Sequence, residues 1–259
     1  MTLGSAGQTA RSLSIGYDDN LLPGDGTLNQ TSGDLTVAGD PRIGYDISGP
    51  GGGGSVGKLS FNDGTVTANS LTLGDADSDG LGNGTLDMSG GSLTVNGDAS
   101  LGTGTAVSIG TVNMTGGVFK ADSITKGVGT ANFNFTGGTL SVDTFGFDLT
   151  QDNTDNPSFL SPGDSVGTTT IQGDYELLGG SLVIELDSFG SYDQIVVTGD
   201  VSLAGDLFFL DYDGSPHPFT ITYSGGDGND VTLGAVPEPG SLILLALGLL
   251  CLLARRRQA

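Results

Sequence analysis

Tryptophan is absent from the 259 residues, and cysteine and histidine occur once each. The lone Cys251 lies in an apolar stretch near the chain end, so no intrachain disulfide exists and packing and backbone ladders must supply the stability. His217 stands between Pro216 and Pro218, where it reads as a turn residue, and no Ser-His-Asp or Cys-His set can be assembled around it. Basic residues are scarce as well: 8 Lys and Arg face 30 Asp and Glu, for a formal charge of −22. Such a body repels nucleic acid and anionic headgroups, which leaves divalent cations as its natural counter-charge. Glutamate is nearly missing too, since Glu176, Glu185 and Glu238 are three of the 30 acidic residues and the other 27 are Asp. Asp favours turns where Glu favours helices, so the body is not helical.

What is abundant is glycine. Its 47 residues are about 18 % of the chain, against a usual value of about 7 %. Without a strict Gly-X-Y period this means a turn-dense β fold, provided the apolar residues are regular. They are. Five copies of a repeat begin at Gly26, Gly57, Gly84, Gly110 and Ala131, with spacings of 31, 27, 26 and 21 residues. Their third position holds Leu28, Leu59, Leu86, Val112 and Phe133, and their fifth Gln30, Phe61, Met88, Met114 and Phe135. The eighth is always glycine: Gly33, Gly64, Gly91, Gly117 and Gly138. The tenth holds Leu35, Val66, Leu93, Phe119 and Leu140, and the twelfth Val37, Ala68, Val95, Ala121 and Val142. Steps of two predict strands with one buried face, and the glycine column predicts a bend.

A third strand follows in each copy, carried by Leu13 with Ile15, Ile43, Leu71 with Leu73, Leu101, Ile124, and Phe145 with Phe147. Three short strands per turn with apolar residues in register predict an all-β fold, a parallel β-solenoid whose coils stack about 4.8 Å apart. Length variation falls after the third strand, as in the run Gly49 to Gly54. Over about Leu13 to Asp148 the repeat resembles the glycine-rich β-strand repeats of autotransporter-like bacterial surface proteins, a resemblance that implies a β-helical body and no activity. Met1 to Gly4 reads like Leu71 to Gly74, the end of a repeat, and no export signal precedes it. The expectation is that the natural chain starts upstream, with a signal peptide and further coils. Three regions follow: repeats over 1–154, irregular β coils or a cap over 155–236, and a distinct tail over 237–259.

That tail joins Val236-Pro237-Glu238-Pro239 to a segment without polar side chains from Leu242 to Ala254 and then to Arg255, Arg256 and Arg257. The prolines hold an extended, accessible segment, the Leu-rich run is a helix in lipid, and Lys/Arg excess marks its cytoplasmic end. In this order and place the three features resemble the PEP-CTERM sorting signal of Gram-negative bacteria. The resemblance implies that an exosortase, a membrane-embedded processing enzyme, recognises Pro237, Glu238 and Pro239, with Arg255 to Arg257 as the anchor, in cells that make exopolysaccharide. The 15 residues from Gly240 to Ala254 rise about 22 Å, short of a hydrocarbon core of about 30 Å. Snorkelling arginines and local thinning cover the difference.

Asp75-Ala-Asp77-Ser-Asp79-Gly80 matches the first half of a calcium loop, which makes Asp75, Asp77 and Asp79 candidate ligands. Position twelve is Leu86 where a carboxylate belongs, so an Asp-rich solvated loop is the competing account. Gly225 to Asp230 is similar to a single calcium-binding nonapeptide, and a hairpin turn is preferred there. The expected protein has no catalytic residues and no cofactor, calcium aside. It is a membrane-anchored precursor with its body outside the cytoplasm, bound for the cell surface or an exopolysaccharide matrix, in a structural or adhesive role. The alternative is a β-helix that binds or cleaves an extracellular polysaccharide.

Overall fold

The computed structural model describes residues 1–4, 7–18, 23–47, 53–77, 80–163, 165–188, 191–204, 206–211, 219–225 and 230–235. The described residues form 23 strands and no helix. They fall in two units, Met1–Phe208 and Phe209–Ala259.

In the first unit, strands pair in parallel with strands one repeat away, in three separate ladders. The first ladder runs from Thr2–Leu3 through Gly24–Gln30 and Ser55–Phe61 into the opening residues of Gly82–Leu101, Ile109–Lys126 and Thr130–Phe145. The second joins Gln8–Ala10, Asp34–Val37 and Thr65–Ala68 to the middles of the same three long strands. Ser14–Asp18, Arg42–Asp46 and Leu71–Ala76 join their ends in the third. Copies that the sequence splits into separate strands therefore become continuous from Gly82 onward, interrupted only by register shifts such as that between Ser89 and Ser92.

The register is that of the sequence columns. Leu28, Leu59, Leu86, Val112 and Phe133 are successive partners, as are Leu35, Val66, Leu93, Phe119 and Leu140. All but the half-buried Phe133 belong to the core. Each such side chain contributes about 1.5–3 kcal/mol by leaving water, and only together do they offset the cost of ordering short strands. Aromatic packing reinforces the last copies: Phe133 lies 6.3 Å from Phe119, 6.4 Å from Phe135 and 5.2 Å from Phe145, the last two edge-on.

Two glycine columns shape the corners. The predicted one has φ between 72° and 89° at Gly33, Gly64, Gly91, Gly117 and Gly138, which other residues adopt only with strain. A second, unforeseen column lies within the third strand at Gly16, Gly44 and Gly74 and just after it at Gly102, with φ of 63–69°. Here backbone packs on backbone. A Cβ on Gly44 would land on the Asn83 carbonyl, and one on Gly84 on the Ile43 carbonyl and the Gly74 nitrogen. This contact explains why four of the five copies begin with glycine. One coil corner is further tied by the buried Asp46, whose carboxylate accepts the Leu81 N–H at 2.7 Å.

Beyond Phe145 most strands of this unit shorten to two to four residues, Ser181–Ser188 and Asp206–Asp211 excepted, yet parallel pairing persists. Phe135 is followed by Gln151, Leu177 and Leu203, Leu140 by Leu160 and Leu182, and Phe145 by Ile171 and Val197. One antiparallel pair, Ser181–Ser188 with Ser191–Tyr192, departs from the pattern. A polar knot replaces the apolar column here: buried Gln151 donates from Nε2 to the carbonyls of Ser158 and Ser181, both at 3.0 Å, and its Oε1 accepts the Tyr175 hydroxyl at 2.8 Å. Burial pushes the Tyr175 phenol well above its ordinary range.

In the second unit, Phe219–Gly225 and Asp230–Ala235 pair antiparallel, with Gly225 opposite Asp230. The strands thus flank the glycine-rich segment as a hairpin does. Residues 48–52, His217, Cys251 and the whole tail from Val236 lie outside the described residues.

Candidate functional site

Three places hold the residues that could carry function: the Asp-rich loop, a groove along the first ladder, and the tail.

At the Asp-rich loop, the end of Leu71–Ala76 brings Asp75 beside Arg42 of the preceding coil, with Nη1 3.5 Å from Oδ2. Thr103 of the following coil donates to the other oxygen at 2.7 Å. Asp77 accepts the Tyr45 hydroxyl at 3.0 Å. Arg42 also lies over the Tyr45 ring, 4.3 Å from its centre, and the Tyr17 ring is 5.7 Å from that of Tyr45. Burial first, and the Asp77 hydrogen bond second, raise the Tyr45 phenol above its ordinary value. Two of the three candidate calcium ligands are thus engaged by protein groups, and Asp79 lies outside the described residues. Leu86, at the twelfth loop position, is fully buried in the core. Among the described residues no three His, Cys, Asp or Glu side chains are grouped to hold a metal.

The groove has a volume of about 670 Å³ and follows the outer face of the first ladder across several coils. Strand alternation puts one row of side chains on its floor, the successive register partners Asn29, Ser60, Asp87 and Asn113, and Asn134 continues the row beyond it. Thr31, Asn62, Ser89 and Thr115 line it beyond the fifth-position column. Asn134 donates to Asn113 and Asn113 to Asp87, both at 2.7 Å, while Lys58 pairs with the second Asp87 oxygen. Ser89 donates to Asn62 at 3.0 Å. Burial pushes the Asp87 carboxyl up, but the hydrogen bonds from Asn113 and Lys58 and the charge of Lys58 outweigh it, so it ionises below the usual range. The signal for this row was in the fourth and sixth positions of the repeat, which alternate with the core columns.

Pro237, Glu238, Pro239 and Arg255 to Arg257 lie outside the described residues, as does the apolar run between them. Among the described residues no helix is long and apolar enough to cross a membrane.

Comparison with known proteins identifies the tail. The family model described as the PEP-CTERM protein-sorting motif matches residues 235–258. A motif of this kind is recognised by exosortase, a membrane processing enzyme, and marks a secreted, membrane-associated precursor at the cell envelope or surface. No curated protein and no solved structure matches the chain.

Proposed function

We propose that the chain is a non-catalytic structural or adhesive protein of the cell surface or exopolysaccharide matrix, whose body is a stiff, acidic parallel β-solenoid. The observation that carries this reading is the sorting motif at residues 235–258, set behind a body of parallel ladders with a chain charge of −22. Three ladders in constant register, each rung one repeat further along the chain, are what a solenoid requires. Gly240 to Ala254 form the single membrane-spanning helix, with Arg255 to Arg257 on the cytoplasmic side. Exosortase acts at the Pro237-Glu238-Pro239 segment, and the released or re-anchored body serves as a spacer or adhesive rod.

No cofactor enters this scheme. Asp75 and Asp77 serve as partners of Arg42, Thr103 and Tyr45 rather than as calcium ligands, so melting curves in calcium and in chelator coincide; a separation would restore the calcium site formed with Asp79.

The test of the sorting step is substitution of Pro237 and Glu238 by alanine in an exosortase-bearing host. An unprocessed, membrane-retained precursor is expected. Unchanged size and surface display would refute it.

A further inference from the structure

We infer that the groove along the first ladder binds a neutral, polyhydroxylated polymer, an uncharged oligosaccharide, lying parallel to the direction in which the strands stack. The argument begins with charge. In a chain with 30 acidic residues, the only ionisable side chain lining this groove is Asp87, and Lys58 and Asn113 hold its two oxygens. The rest of the lining is amide and hydroxyl, with the one apolar contribution from Met88, itself a core residue.

Repetition supplies the second step. The floor repeats once per coil, about every 4.8 Å, so donors and acceptors recur at a period comparable to the length of a sugar unit. Asn, Ser and Thr each both donate and accept, which is what a hydroxyl-bearing polymer needs at every rung.

Other occupants fit less well. An extended peptide would add to an open sheet edge, but this groove lies on a sheet face whose middle strands are paired on both sides. A protein surface would want an apolar centre that the lining does not offer. A phosphate- or uronate-bearing polymer would meet the repulsion of the acidic body. Since no aromatic ring lines the groove to stack on a sugar, each site is weak, and binding gains from several rungs and several molecules acting together.

The inference extends the surface-protein reading and depends on it only for where the sugar would be met; its test uses the purified, detergent-solubilised full chain, so a failure of sorting would leave it standing. Neutral glucan, mannan and galactan hexasaccharides and a polyuronate would be arrayed and titrated. Saturable binding to at least one neutral sugar is expected, and the polyuronate should stay unbound. Ser60→Asp with Asn62→Asp places two carboxylates in the groove and should weaken the binding by at least about tenfold. Thr67→Asp with Thr94→Asp, on the outer face of the second ladder, should leave it within about twofold. Asn62→Gln, which keeps charge and adds only length, should weaken binding detectably and covers the case in which the double variant fails to fold. No binding by the natural chain, a preference for the polyuronate, or equal loss from both pairs of substitutions would overturn the assignment.

Discussion

The repeat copies up to Phe145 and the mostly short-stranded region from Leu149 to Leu203 use the same three parallel ladders and fill one of their columns differently. In the first, apolar partners succeed one another down the columns, the buried Gln30 of the first copy excepted, and glycine corners let backbones touch. In the second, Gln151 and Ser158 stand where the last copy has Phe135 and Gly138, and side-chain hydrogen bonds to backbone carbonyls tie that corner beside the buried Leu160, Ile171, Leu177 and Leu182. A parallel stack therefore keeps its register throughout, and one of its columns takes a buried polar residue where the side chain finds hydrogen-bond partners.

The comparison breaks most visibly at a glycine corner. Gly84→Ala puts a methyl group against the Ile43 carbonyl and the Gly74 nitrogen, neither of which can move without shifting a ladder. A loss of about 3 kcal/mol, measured by urea unfolding, is expected. A change below about 0.5 kcal/mol would mean that the corner is not close-packed.

It sharpens at Gln151. If the short-stranded region were held like the copies before it, Gln151→Met would continue the column of Met88, Met114 and Phe135 and be harmless. The polar knot predicts instead a loss of about 2 kcal/mol, because the Tyr175 hydroxyl and the Ser158 and Ser181 carbonyls lose their partner. Neutral or stabilising behaviour in the same unfolding measurement would erase the distinction between the regions.

The smallest effect concerns Asp87. Its folded-state carboxyl ionises below the usual range, so its contribution is complete above about pH 4 and is lost as pH falls through the lower folded value. The side chain is about a third exposed, so screening keeps the effect well under about 1 kcal/mol. Asp87→Asn should flatten the acid limb of the stability profile at low salt and do less at high salt. An unchanged limb would show the pairing to be energetically idle.

How far the sequence could be read follows the same division. Apolar partners repeat five times between Leu28 and Leu140, and repetition turns a weak two-residue alternation into a firm register. The second glycine column was visible in Ile15-Gly16, Ile43-Gly44, Leu73-Gly74 and Leu101-Gly102, but its purpose is contact with residues 28 to 40 positions away, which no local pattern reveals. Past Phe145, strand-like runs such as Thr168 to Gln172 and Ser181 to Leu186 were legible, but Leu149–Gln151 and Ser158–Leu160 carry at most two inward positions each, and polar Gln151 and Ser158 sit in core columns, so the register there was not. At the loop, three alternating aspartates resembled a metal cradle; the engagement of Asp75 by Arg42 and Thr103 came from neighbouring coils and was out of reach. The groove was overlooked because its residues occupy the outward positions that alternate with the core.

Cross-linking between coils addresses the stacked register most directly. Thr67 and Thr94 are Cα partners on the outer face of adjacent strands, a separation that a disulfide spans, whereas Thr36 and Thr94 lie two rungs apart. With Cys251 replaced by serine, Thr67→Cys with Thr94→Cys should oxidise readily to an intrachain disulfide, and Thr36→Cys with Thr94→Cys should remain reduced. Cross-linking of the second pair in place of the first would contradict the stack.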